Sequence, residues 1–170
     1  MLMGIVSDTH DSVTNTLKAF KFFNKKGVSL VLHCGDWVAP FMLDATKELD
    51  CPVKSVFGNN EGDSLPYYNK IKNDELNIEI SSEGVWEGEF DGKKIAITHG
   101  HQPVILNLLL NAGYDLVASG HTHEAAIRKH DETLHVNPGA ILGAKLLEVK
   151  DKFSFAIYDT ITGKAQIYEL

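Results

Sequence analysis

Seven side chains of metal-binding type fall in five short clusters: Asp8 and His10 in SDTH, Asp36 in HCGD, Asn59 in GNN, His99 in THGH, and His121 with His123 in SGHTHE. They supply two carboxylates, one amide and four imidazoles, a mixed oxygen and nitrogen set. Such a set suits Mn2+, Fe2+, Co2+, Ni2+ or Zn2+, whereas oxygen-only cages suit Mg2+ or Ca2+. Seven ligands are too many for one metal with an open catalytic position, and right for two metals that share a carboxylate. In an extended segment residues i and i+2 point to one side, so His121 and His123 would aim the same way. Taken alone, that pair reads equally well as surface or hydrogen-bonded loop histidines.

The clusters need elements to bring them together. MGIV (3–6), VSLVLH (28–33), VKSVF (53–57), KKIAIT (93–98) and DLVAS (115–119) read as strands, and each runs directly into one of the clusters. Loops at strand ends are where open α/β sheets build their sites. Between strands, DSVTNTLKAFKFFNKKG carries Val13, Leu17 and Phe20 at helical spacing, Asp11 or Ser12 as N-cap and Gly27 at C′. Further helices are expected from Pro40 to about Leu49 and from about Pro103 to Asn111. Asp91-Gly92 between strand-like runs is a hairpin signal. AIRKH, TLHVN, FSFAIYD and AQIYEL add late strands, whereas the segment holding Tyr67 and Tyr68 gives no clear pattern. The whole predicts an α/β fold, a four-layer α-β-β-α sandwich of two mixed sheets flanked by helices.

At 170 residues, 44% hydrophobic and 23% charged, the chain reads as one domain over residues 1–170 with a core of its own. Its net charge of −7 argues against a nucleic-acid surface, which needs a basic stripe. Cys34 and Cys51 stand in no paired-metal spacing, and free thiols fit a reducing compartment. The longest apolar stretch, Val104 to Leu110, is far shorter than the roughly 20 residues that span a bilayer. The opening MLMGIVSDTH has no basic n-region or cleavage site. The expectation is a cytoplasmic protein without a membrane segment.

The order DxH, GD, GN, H, GHxH resembles the calcineurin-like metallophosphoesterase superfamily, and SDTH, HCGD, GNN, THGH and GHTH resemble its small bacterial and archaeal phosphodiesterase branch. These motifs span residues 8–123, and NPG at 137–139 matches as well. The resemblance implies that Asp8, His10 and His123 hold one metal, that Asn59, His99 and His121 hold a second, and that Asp36 bridges them. The two ions, Mn foremost with Ni, Fe, Co or Zn as alternatives, would lie about 3.5–4 Å apart and lower the pKa of bound water to roughly 7. It further implies a phosphodiesterase in which a metal-bridging hydroxide attacks a small phosphodiester. Two divalent ions bring four positive charges. Asp8 and Asp36 return two negative charges and the hydroxide one, so a positive site remains for an anionic ester.

One position departs from the wider pattern. Many relatives carry GNH followed by an acid, with the histidine thought to protonate the leaving group; here the run is GNNEG, and Asn60 stands in that place. Asparagine can orient a phosphate oxygen and cannot act as an acid at neutral pH. Ala39, where a broader GDxxD pattern has an acid, is a lesser departure. His101 is expected to line the substrate side or support a ligand, and His33 to be a buried supporting residue. His130 and His135 read as solvent-facing, Asn137 as a turn residue, and Trp37, Val38 and Phe41 as helix packing, a cleft wall or a subunit contact. A homodimer is permitted by these features. The alternatives are an interaction protein of the same fold, as in the retromer scaffold subunit, and a nuclease, which the acidic balance disfavours.

Overall fold

A computed structural model describes residues 1–142 and 153–169. Among the described residues eleven strands form two mixed sheets. The first has the order β11-β10-β1-β2-β3-β4, with β1 Leu2–Val6, β2 Leu30–His33, β3 Val53–Val56, β4 Ile78–Ser81, β10 Ser154–Asp159 and β11 Lys164–Glu169. β1 to β4 run parallel, β10 pairs antiparallel with β1, and β11 pairs antiparallel with β10. The second has the order β5-β6-β7-β9-β8, with β5 Val85–Phe90, β6 Lys93–Thr98, β7 Leu116–Ala118, β8 Ala126–His130 and β9 Thr133–Asn137. Leu170, in the run expected as the last strand, lies outside the described residues.

Strand alternation explains the layering. Met3, Ile5, Leu30 and Leu32 face Ile95, Ile97, Leu116 and Ala118 in one core between the sheets. The opposite faces, through Val6 and Val31, meet Phe20 and Phe23 of α1 (Val13–Lys26) and Tyr67 of α2 (Leu65–Asn73). Ala96 and Val117 meet Leu109 of α3 (Pro103–Leu110). The four-layer sandwich expected from sequence is the fold observed. Among the described residues no helix is long and apolar enough to cross a membrane.

Local structure departs from expectation in four places. Ser12 does stand at the N-cap of α1, but its hydroxyl makes no capping bond; Gly27 closes the helix as expected, at φ 69°. Pro40–Glu48 is a 3-10 helix, and its buried residues recur every third position, Met42 with Ala45 and Leu43 with Thr46. The Thr46 hydroxyl donates to the Leu43 carbonyl three residues back, which favours the tighter turn. α2 and β4 had no sequence counterpart, and Tyr67, unplaced from sequence, is buried.

The sheet and α1 approach closely at Gly4. A Cβ there would lie 2.7 Å from the buried Phe23 ring. Gly4→Ala should therefore cost about 1–3 kcal/mol of stability through overpacking. Urea unfolding checks this, and a midpoint equal to wild type would refute it.

Candidate metal centre

Every candidate ligand lies in a loop at the C-terminal end of a strand: Asp8 and His10 after β1, Asp36 after β2, Asn59 after β3, His99 after β6, His121 and His123 after β7. Backbone bonds stitch these loops together. Asp8 N–H donates to Gly35 O at 3.0 Å, His10 N–H to Asp36 O at 2.9 Å and Gly120 N–H to His99 O at 2.9 Å. Asp8, Asp36 and His99 are buried at the floor, His10 and His123 are half-buried, and Asn59 and His121 reach the rim.

The distances place Asp36 between two donor groups. Its Oδ2 is 3.6 Å from His10 Nε2, and its Oδ1 is 3.5 Å from His99 Nε2. Asp8 Oδ1 is 3.2 Å from His123 Nε2 and 4.0 Å from His99 Nε2. Ligand atoms of Asp8, His10 and His123 all lie within 4.8 Å of one another, as do those of Asp8, Asp36 and His99. His121 belongs to neither trio; its ring centroid is 5.2 Å from that of His99, edge to face, and its backbone N–H donates to Asp8 Oδ2.

The polar atoms of this group are matched to a cation. Asp8 Oδ1 and His10 Nε2 are buried without a hydrogen-bond partner. His99 Nδ1 lies 2.8 Å from the Cys34 carbonyl, which can only accept, so Nδ1 carries the proton. A neutral His99 then turns the Nε2 lone pair toward Asn59 Oδ1, 3.1 Å away, acceptor facing acceptor. A cation between them resolves that conflict. Burial alone would raise the Asp8 carboxyl, but hydrogen bonds from the His123 ring and then the Ser7 hydroxyl lead the effects that hold it below the usual carboxylate range. Reciprocally, the Asp8 carboxylate holds His123 above the usual imidazole range. The residues present fit divalent metal.

His121 and His123 are not in an extended segment, so the alternation argument for them fails. Both have left-handed backbone, φ 68° and 59°, as do Asp8 (52°), His10 (45°) and Asp36 (62°). Gly120 serves by lacking a side chain rather than by turning: a Cβ would lie 2.6 Å from Asp8 Oδ2 and collide with the Ser7 side chain. The loop is anchored from behind by Asn137, whose Nδ2 donates to Gly120 O at 2.8 Å and Thr122 Oγ1 at 3.1 Å. Asn137 also makes the turn expected of it, accepting from Gly139 N–H. His135 was expected at the surface; it is buried and bonded to Ser119 Oγ, 2.9 Å. His130 is exposed, as expected.

His33 is buried, stacked 3.6 Å from the Trp37 ring. Its Nδ1 accepts from Gly35 N–H, which leaves Nε2–H to donate to Thr9 Oγ1 at 3.1 Å. Trp37 is core, with Nε1 donating to Ser55 Oγ, while Phe41 is exposed. His101 sits 5.4 Å from His99 and 6.2 Å from His121 by ring centroids, with a buried, unpartnered Nδ1. Asn60 points inward: its Nδ2 donates to Asp36 Oδ2 at 2.6 Å, while Asn59 and Asn60 N–H groups donate to Asp36 Oδ1. Glu61, passed over in the sequence reading, clamps the Asp36 loop to the Asn59 loop by accepting from Trp37 N–H at 2.6 Å and Gly58 N–H at 2.7 Å. Its signal was the acid after GNN.

Known proteins settle the kinship. The family model for the calcineurin-like phosphoesterase superfamily domain matches residues 1–163. The chain belongs to that superfamily. It is 37% identical over 144 residues to the phosphodiesterase MJ0936 of Methanocaldococcus jannaschii, covering 84% of this chain and 86% of that one. It is 32% identical over 142 residues to the probable metallophosphoesterase MJ0623 of the same organism, 82% of this chain and 68% of the relative. A solved archaeal phosphodiesterase superposes with a TM-score of 0.89 at 33% identity, covering both chains fully. Wild-type Vps29 from Entamoeba histolytica, solved with Zn2+, shares the fold alone, with a TM-score of 0.68 at 19% identity over 99% of this chain and 91% of that one. The family implies divalent metal ions, and the Asp and His groups above are candidates to hold them.

Two outcomes follow from this geometry. Gly120→Ala should displace the Asp8 carboxylate and weaken divalent-metal binding at least about tenfold by calorimetry, a loss of about 1.4 kcal/mol; unchanged affinity would refute the steric account. Burial pushes His33 down to about 3. Because the folded value lies below the unfolded 6.5, the stability this neutral ring supports is complete above pH 6.5 and is lost as pH falls toward 3, by up to about 1.4 kcal/mol per pH unit. Urea unfolding between pH 7 and 4 should therefore show a steeper acid loss in wild type than in His33→Phe, and equal slopes would contradict it.

Proposed function

We propose that this chain is a phosphodiesterase that hydrolyses a small phosphodiester with two divalent metal ions. The observation that carries the reading is the Asp36 carboxylate standing between His10 and His99, one oxygen toward each. On this reading Asp8, His10 and His123 hold one ion, Asn59, His99 and His121 the other, and Asp36 both. Mn2+ is the first candidate, with Ni2+, Fe2+, Co2+ or Zn2+ able to use the same donors. When bound, such ions supply an activated water near neutral pH and positive charge for the phosphoryl oxygens.

The chain's own groups do the positioning. Three N–H donors from Asn59 and Asn60 hold Asp36, and the Glu61 clamp fixes the loops that carry both. On this reading His101, partly buried beside His99 and His121, meets the substrate. Asn60 offers no proton to the leaving group, and its amide is engaged with Asp36. The substrate is a small phosphate ester rather than nucleic acid, in keeping with the net charge of −7, and the compartment is the cytoplasm.

Chelator-stripped protein titrated with Mn2+ tests the reading directly. Calorimetric uptake should saturate near two equivalents, with hydrolysis of bis(p-nitrophenyl) phosphate rising in step. Neither uptake nor turnover would move the interaction-protein reading to first place. Missing the acid, turnover should also slow steeply as leaving-group pKa rises across a series of aryl to alkyl diesters. A flat dependence with chemistry rate-limiting would contradict the role given to Asn60.

A further inference from the structure

Seven large apolar side chains stand exposed among the described residues, and four share one structural position. Val13 and Leu65 open α1 and α2, and Phe41 and Val104 are second in the 3-10 helix and α3. Each of these helices starts where the chain leaves a ligand loop at the C-terminal end of a strand. Their exposures are 38%, 59%, 51% and 73% in that order. Scattered exposed hydrophobics are ordinary, but four around one site are not scattered. α1 packs beside the 3-10 helix and that beside α2, and because β1, β2 and β3 run parallel, the first turns that carry Val13, Phe41 and Leu65 leave the ligand loops on the same side of the first sheet. Val104 enters α3 from the His99–His101 loop, on the side of the second sheet.

Charge within the ligand loops themselves is equally one-sided. The five ligand loops (residues 7–12, 34–39, 57–64, 99–102 and 119–125) contain no lysine and no arginine. Beyond the ligands they carry Asp11, Glu61, Asp63 and Glu124. Any phosphate other than the one at the metals would meet carboxylates and find no cation in these loops. These loops therefore offer the further phosphates of a nucleoside polyphosphate or a charged polymer no cation of their own.

We propose that the site takes phosphodiesters with a single negative charge and an apolar ester group, aryl or alkyl, seated against the lip formed by Val13, Phe41 and Leu65. The inference rests on the diesterase reading above and adds the substrate class. One anionic phosphoryl group goes to the floor, where all the candidate ligands converge. The ester group that is not expelled lies along the lip and is withdrawn from water there.

The test holds the leaving group fixed as p-nitrophenolate and varies the other ester among methyl, n-hexyl, phenyl and thymidin-5′-yl, each rate divided by its uncatalysed rate. With the Mn2+-loaded enzyme, phenyl and hexyl esters should exceed the methyl and thymidinyl esters in kcat/KM by about tenfold, the order expected for burying one such group. Phe41→Ser and Leu65→Ser, both exposed and so tolerant of replacement, should shrink the phenyl-to-methyl ratio. Turnover of all four esters at similar corrected rates would overturn the inference while leaving the diesterase reading intact. A ratio unmoved by either substitution would also overturn it. A change in light-scattering mass on those substitutions, with the ratio unmoved, would reassign the lip to contact between copies of the chain. Absence of turnover on every ester would remove the diesterase reading and this inference with it.

Discussion

The centre depends on backbone held where L-residues rarely go. Nine non-glycine residues among those described have positive φ, and five of them are candidate ligands: Asp8, His10, Asp36, His121 and His123. Such conformations cost of order 1–3 kcal/mol each, somewhat less for Asp and His, against a net stability of about 5–15 kcal/mol for a typical domain. They persist only where the surroundings leave the chain no alternative. Here the surroundings are two parallel-stranded sheet centres buried on both faces, whose strand ends are fixed to a fraction of a side chain by Met3, Ile5, Leu30, Leu32, Ile95 and Ile97. The loops are then tied to one another across the gap by the Asp8–Gly35, His10–Asp36 and Gly120–His99 backbone bonds. Left-handed turns at these positions throw side chains inward from loops of only a few residues, which an extended run would aim along the sheet.

Most of the architecture was readable because strands buried on both faces leave apolar runs that polar clusters punctuate. The clusters marked strand ends, and strand ends fixed the site. What could not be read shares a physical cause. α2 buries Tyr67 fully and presents mostly exposed polar residues, so no apolar stripe announces it. β4 is four residues long and alternates without a hydrophobic run. The 3-10 geometry of Pro40–Glu48 hangs on a three-residue burial repeat and one threonine hydroxyl, which the helical spacing of a few apolar residues does not separate from an α-helix. His121 and His123 were assigned a shared direction by strand periodicity, and periodicity has no meaning in a left-handed loop.

The supporting residues were the least legible, because their work is done by bonds to backbone that sequence does not display. Asn137 reaches from β9 to the Gly120 carbonyl, Ser119 is bonded to His135 behind the same loop, and Glu61 receives two N–H groups from loops 24 and 3 residues away. Burial raises the Glu61 carboxyl and the nearby Asp36 charge raises it further, while the Trp37 and Gly58 N–H groups pull the other way; the net shift is upward. A carboxylate kept in so unwelcoming a place is doing structural work on the loops that carry Asp36 and Asn59. Asn60 belongs to the same group. Its side-chain amide donates to Asp36 Oδ2 and so helps hold that carboxylate in place.

That distinction bears on whether the fold serves catalysis or only contact between proteins. An interaction protein needs the sandwich and its surface, and has no use for five strained residues around a cluster of buried imidazoles and carboxylates. Strain of that kind relaxes when nothing selects for it, since a glycine at any of those positions would remove the cost. In this chain each strained ligand position instead keeps an aspartate or histidine, and the space for them is cleared by Gly120. Asp8 Oδ1, 3.2 Å from His123 Nε2, and His10 Nε2, 3.6 Å from Asp36 Oδ2, are buried at a desolvation cost that a cation between them offsets. The balance of strain, burial and charge among the described residues therefore fits the divalent metal ions that the family implies, set in loops with no lysine or arginine of their own.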